Sequence, residues 1–226
     1  MKWRFEDFIY GAIDGTVTTF AVVAGVVGAS LSVNIILILG FANMFADGFS
    51  MAVANYQSSK AHSEFIEMKR KQEEWEIDNL QEEEENEIRE IYSKKGFKDE
   101  LLEEIVRMIT SRRKVWVDTM MREELGLVED NKKPLDSAVS TFVGFNIIGI
   151  IPLIPFIVFF ALQIDSNFAF YLAALTTGAA FFIVGIVKGK IVQKSLVKSG
   201  LYTLIIGTIA STVAYFVGYF LNLVIQ

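Results

Sequence analysis

The sequence predicts an all-α, polytopic membrane protein: five transmembrane helices, with a soluble helical insert between spans two and three. Three observations predict it. Hydrophobic residues make up 52% of the 226, and the mean hydropathy is +0.40, values that belong to a multi-span chain. Five runs reach the ~20 apolar residues that a helix needs to cross a hydrocarbon core of about 30 Å. Between residues 60 and 136 the composition changes abruptly to highly charged.

The first apolar run is Phe8 to Gly28, and its only charge is Asp14. It is too long and too Gly-rich for the apolar core of a cleavable signal peptide. The second is Val33 to Ser59, and its only charge is Asp47. The third (Ser137 to Ile164), fourth (Ser166 to Val187) and fifth (Ser199 to Gln226) carry no charge at all. Short connections make antiparallel hairpins of the first pair and of spans three and four. The chain thus divides into 1–59 (spans one and two), 60–136 (the insert) and 137–226 (spans three to five). Lys2 and Arg4, the basic residues of the insert, and Lys188, Lys190, Lys194 and Lys198 all fall on one side. By the positive-inside rule that side is cytosolic, and the C-terminus lies opposite.

Within the insert, residues 60–77 continue the second span out of the membrane. Asp78-Asn79 offers a break and a cap, followed by a helix from Leu80 to Lys95 that Gly96 ends. Asp99 is placed to cap a helix over 100–109, and Ser111 to cap one over 112–125 closed by Gly126. Lys132-Lys133-Pro134 reads as the linker back into the membrane.

Composition narrows the chemistry. There is no Cys, so thiolate metal sites and disulfides are excluded, and the one His, His62, excludes His-rich metal sites. A net charge of −6 and a pI near 5.0 argue against nucleic acid as a partner. An ionisable group inside a bilayer costs at least ~2.5–3.5 kcal/mol, so Asp14 and Asp47 are functional candidates by default. Asp47 is the stronger, because Asp14 lies nearer a helix end. Asn43, Asp47, Met51 and Asn55 are each four apart, which places amide, carboxylate and thioether groups along one helix face. Such a stripe in a membrane helix is a path for a cation. Gly11/Gly15 and Ala21/Gly25 in the first span, and Ala210/Ala214/Gly218 in the fifth, let helices approach closely, within one chain or across a homodimer seam. Pro152 and Pro155 should disturb the third span and free backbone carbonyls.

In the insert, Glu64 to Glu90 holds twelve acidic residues against four basic ones. Glu73/Glu76 and Glu84/Glu87 are i,i+3 pairs, and Met120, Met121 and Glu124 share a face of the last helix. Clustered carboxylates with thioethers and no thiolate favour Fe(II) or Mn(II) over a Cys-type zinc site. On composition alone a solvated acidic face and ordinary Met packing are the favoured readings of the same residues.

Asp14-Gly15, Ser50-Met51 with Tyr56, the Glu-rich insert, the run Met120 to Leu127, and Pro152 with Pro155 together resemble the vacuolar iron transporter family over nearly the whole chain. The resemblance implies a five-span homodimer, joined through its first spans, that moves Fe(II), and often Mn(II), out of the cytosol against protons. It implies Asp14 and Met51 as pathway residues. It implies Glu73, Glu76, Glu84, Glu87, Met120, Met121 and Glu124 as ligands of a cytosolic domain that gathers metal, with Zn(II) as a further ion and no prosthetic group. One position departs from the pattern: the family's carboxylate two turns before the Met is Asn43 here, and Asp47 lies one turn closer. Either Asp47 substitutes for it, or selectivity and proton coupling differ. Short loops and a minimal N-terminus favour the cell membrane of a prokaryote over a vacuole. Two other readings compete. A membrane-anchored metal buffer or sensor has no use for a mid-span carboxylate. A di-iron oxidase needs Glu-x-x-His pairs, which the later insert helices lack.

Overall fold

The computed structural model describes residues 4–128, 133–163 and 168–225. Lys2, Lys132, residues 164–167 and Gln226, which belong to the expected span ends, basic flanks and linker, lie outside them. Every element among the described residues is helical: α1 (Phe5–Gly28), α2 (Val33–Asn79), α3 (Gln81–Lys94), α4 (Asp99–Thr110), α5 (Arg113–Glu123), α6 (Pro134–Gly149), α7 (Ile154–Leu162), α8 (Ala169–Ile191) and α9 (Leu196–Ile225). Five helical stretches are long and apolar enough to cross a membrane: α1, α2, α6 with α7, α8 and α9. The protein is a multi-pass, all-α membrane protein.

Two compact units form. One comprises residues up to Gln57 together with those from Lys133 onward, and the other runs from Ser58 through the insert. Helix α2 is 47 residues long because no Gly or Pro interrupts it between Ser50 and Asn79. The third span is interrupted where its prolines stand. A 3-10 turn at Ile151–Leu153 separates α6 from α7, and Leu153 N and Ile154 N both donate to the Ile150 carbonyl, at 2.9 and 3.2 Å.

In the membrane unit α1 is the central helix. A Cβ added at Gly11 would overlap the Thr141 carbonyl, one at Gly15 the Phe145 carbonyl, and one at Gly144 the Phe8 carbonyl. On the other flank, Gly28 meets the Tyr215 carbonyl and Gly218 the Gly25 carbonyl. Backbone therefore touches backbone along both the α1–α6 and α1–α9 seams, which is what small residues permit. The glycines of both small-residue pairs on α1 have partners within this chain. Helix α9 turns Ile205, Ile209, Phe216 and Phe220 outward, as a lipid-facing helix does.

The insert packs around Ile66, Ile77, Ile88, Val106, Trp116 and Val117. Its glycine stops are as expected. Gly96 (φ 99°) and Gly126 (φ 64°) take left-handed conformations, with Phe97 N donating to Tyr92 O at 3.2 Å and Leu127 N to Met121 O at 2.8 Å. Its expected caps are not. Asn79 Nδ2 donates back to Trp75 O at 2.7 Å, and Leu80 precedes α3 with no side-chain cap bond. Ser111 Oγ donates to Met108 O at 2.8 Å, and Arg112 precedes α5. Both polar side chains close the helix behind them, because the carbonyls one turn back are nearer than the amides ahead. Asp99 is already the first residue of α4, with φ 54°.

Candidate functional site

The path stripe on α2 lies at a boundary. Met44, Gly48 and Ala52 are buried, Phe45, Phe49 and Val53 are exposed, and Asn43, Asp47, Met51 and Asn55 between them are half-buried. Asp14 on α1 is also half-buried, and its carboxylate is close enough to that of Asp47 for the two charges to interact. The carboxylates of Asp14 and Asp47 therefore lie near one another between α1 and α2. Thr18 Oγ1 donates to the Asp14 carbonyl at 2.9 Å. Asn43 presents a buried Nδ2 with no hydrogen-bond partner. Met51 is on the same strip of α2 and makes no polar contact.

Asn55 serves a different purpose from the rest of the stripe. Its Nδ2 donates to Asp7 Oδ1 at 3.0 Å and to Thr141 Oγ1 at 2.7 Å. Arg4 Nε donates to Asp7 Oδ2 at 2.6 Å, and Arg4 N to Ser140 Oγ at 3.1 Å. This network ties the start of α1 to the middle of α2 and to α6. Asn146 on α6 is a site residue that sequence reasoning misses. Its Nδ2 donates to Phe142 O at 2.8 Å, while its Oδ1 is buried without a partner. A Cβ at Gly48 would stand 2.8 Å from that Nδ2, so the amide lies against the turn of α2 that carries Asp47. A buried acceptor without a donor beside a carboxylate pair is chemically suited to a passing cation. The sequence does carry a signal for it: Asn146 is the one amide in the otherwise apolar third span before Gln163.

In the insert, Glu73 and Glu76 come from α2, Glu84 and Glu87 from α3, and Glu124 follows α5. Glu73 and Glu84 are 3% and 5% exposed, and each has a buried Oε2 with no partner. Desolvation first, and then repulsion from Glu124, Glu76 and Glu87, pushes Glu73 up to about 7. Desolvation, then Glu87, Glu73, Glu76 and Glu124, pushes Glu84 up to about 7. Glu124 is raised by desolvation and then by Glu87 and Glu76. All five predicted carboxylates thus form one electrostatic cluster. Among the described residues no three acidic or imidazole side chains already converge tightly enough to grip an ion. Glu124 and Glu87 are close enough to share a hydrogen bond, and a divalent cation would remove both the remaining repulsion and the burial penalty. Met120 and Met121 are 0% and 3% exposed and pack with Ile77, Ile88 and Trp116, so they are core side chains of this unit. Two grooves of about 350 and 570 Å³ flank α9, are mostly apolar and hold none of these carboxylates.

The profile of the VIT family matches residues 5–219. The chain belongs to the VIT family. The vacuolar iron transporter of Toxoplasma gondii is 39% identical over 223 residues, covering 96% of this chain and 74% of the relative. That of Plasmodium falciparum is 34% identical over 224 residues (96% and 82%). A vacuolar iron transporter of Arabidopsis thaliana is 32% identical over 211 residues (93% and 83%). Each alignment covers nearly all of the VIT-family chain, so both the membrane unit and the acidic insert belong to the shared region.

Proposed function

We propose that this chain exports a divalent transition metal, Fe(II) foremost and Mn(II) as a second cargo, from the cytosol in exchange for protons. The observation that carries the reading is the meeting of Asp14 and Asp47 in the membrane unit. Two carboxylates near one another in a bilayer are costly unless they share a cation or protons. A site that binds either a metal or protons is the elementary requirement of antiport, because protonation from the far side releases the metal. Asn43, Met51 and Asn146 supply amide and thioether groups for partial dehydration. The relatives' name supplies the ion. The carboxylate cluster of the insert gathers dilute metal on the cytosolic side. A homodimer joined through α1 is part of the same reading. The positive-inside rule supports a cytosolic N-terminus and insert with the C-terminus opposite, and we assign the protein to a cell membrane. An anchored buffer has no need of the Asp14–Asp47 pair.

The test is metal efflux in proteoliposomes, with Fe(II), Mn(II), Zn(II) and Ca(II) compared with and without a pH gradient. Asp47→Asn should insert normally and lose efflux. Normal efflux by that variant removes Asp47 from the path, and flux indifferent to the pH gradient removes the antiport.

A further inference from the structure

Lys188, Lys190, Lys194 and Lys198 stand where α8 turns into α9, and all four are exposed. No Asp or Glu occurs between Phe168 and Gln226, and among the described residues no carboxylate pairs with any of the four. The positive-inside rule accounts for their sign. The helix dipole accounts for Lys188 and Lys190, which lie in the last turn of α8. The dipole does not account for Lys198. It sits in the first turn of α9, at the positive end of a 30-residue helix that has no acidic residue there. A cation at that end adds to the charge of the unsatisfied amides. The turn is tight: Gln193 is left-handed (φ 52°) and Lys194 N donates to Gly189 O at 2.9 Å, so the lysines of both helices stand at one end of the bundle.

Beside them a groove of about 260 Å³ opens between α1 and α8, walled by Ile9, Tyr10, Ile13, Ile191 and Val192. Lys188 and Glu6 line it as well. The Glu6 carboxylate pairs with Arg4 at 3.9 Å. An apolar slot lined by Lys188, next to a turn that carries three more lysines without a carboxylate partner among the described residues, suits a ligand that is anionic at one end and hydrocarbon at the other. We propose that this is a docking site for an anionic phospholipid, with its phosphate among the four lysines and an acyl chain in the groove. The chain would lie against α1 one helical turn before Asp14. Free phosphate has no use for the groove, and a zwitterionic lipid has none for the lysines. The proposal does not depend on which ion is transported.

The test titrates full-length protein in neutral detergent with phosphatidylglycerol, then with phosphatidylcholine of the same chains, and counts bound lipid by native mass spectrometry. Phosphatidylglycerol should be retained and phosphatidylcholine should not. Each Lys→Gln change should weaken retention ~5-fold, and the four together on the order of 600-fold. The fourfold Lys→Arg variant should bind like the wild type, and Tyr10→Ala should weaken binding several-fold through the groove. If the fourfold Lys→Gln variant does not fold, Lys198→Gln alone carries the charge test. Equal retention of the two lipids, or undiminished binding in the Lys→Gln variants, overturns the proposal. So does displacement of the lipid by an equal concentration of inorganic phosphate, which would mark a site for a free anion.

Discussion

The carboxylate cluster of the insert makes a quantitative prediction about protons. Glu73 and Glu84 titrate at about 7 instead of at 4.5. A shift of ~2.5 units corresponds to about 3 kcal/mol per group, and screening and coupling reduce this to roughly 1–2. The sign follows from the direction. A folded-state pKa above the unfolded one means that the neutral acids stabilise the fold below about pH 4.5. That contribution is lost as pH rises through about 7. A divalent ion takes over the role of the protons, so binding must expel them. At about pH 6 both acids are mostly protonated, and one ion should release close to two protons. At about pH 8 it should release almost none. The assay is calorimetry of Mn(II) binding to the full-length protein in detergent, repeated in buffers of different ionisation enthalpy. Proton release should fall as pH rises, and Glu73→Gln with Glu84→Gln should remove most of it, leaving at most the share of Glu124, while lowering affinity by at least ~10-fold. Release that is the same at both pH values, or that is undiminished in the double variant, refutes the assignment of these two residues as the main proton-exchanging ligands.

Two further substitutions probe the membrane unit. Gly15→Val would drive a side chain into the Phe145 backbone and force α1 away from α6, which should cost about 1–3 kcal/mol and lower the unfolding temperature in detergent. Asn55→Ala removes the donor shared by Asp7 and Thr141, and should cost about 1–2 kcal/mol in the same measurement without changing the transported ion.

Much of this architecture is legible in the sequence because a bilayer imposes a simple rule on length and polarity. Spans, the proline break and the glycine stops follow from local chemistry. So does the grouping of Glu73, Glu76, Glu84 and Glu87, since i,i+3 spacing fixes each pair's helix face. The caps are not legible, because Asn79 and Ser111 can satisfy amides ahead or carbonyls behind, and only the path of the following turn decides. Asn55 reads as one more rung of the stripe because helical spacing says which face a residue is on, not what stands opposite. Its partners Asp7 and Thr141 lie 48 and 86 positions away in the chain. Asn146 is hidden for the same reason, since it gains meaning only with Gly48 of α2 packed against it. Met120 and Met121 have a packing role that spacing alone does not separate from ligation.

The glycine seams also divide the membrane unit by stiffness. Main-chain carbonyls press directly on glycines where α1 meets α6 and α9, and no side-chain rotamer is available there to absorb a sliding movement. The glycines of α2 meet only side chains: Gly40 faces the Leu153 methyls, and Gly48 faces the Asn146 amide and the Phe145 ring. Groups of that kind can re-pack while the backbone shifts. A rocking step that alters the separation of Asp14 and Asp47 therefore has its compliant bearing at α2, with α1, α6 and α9 acting as the fixed frame.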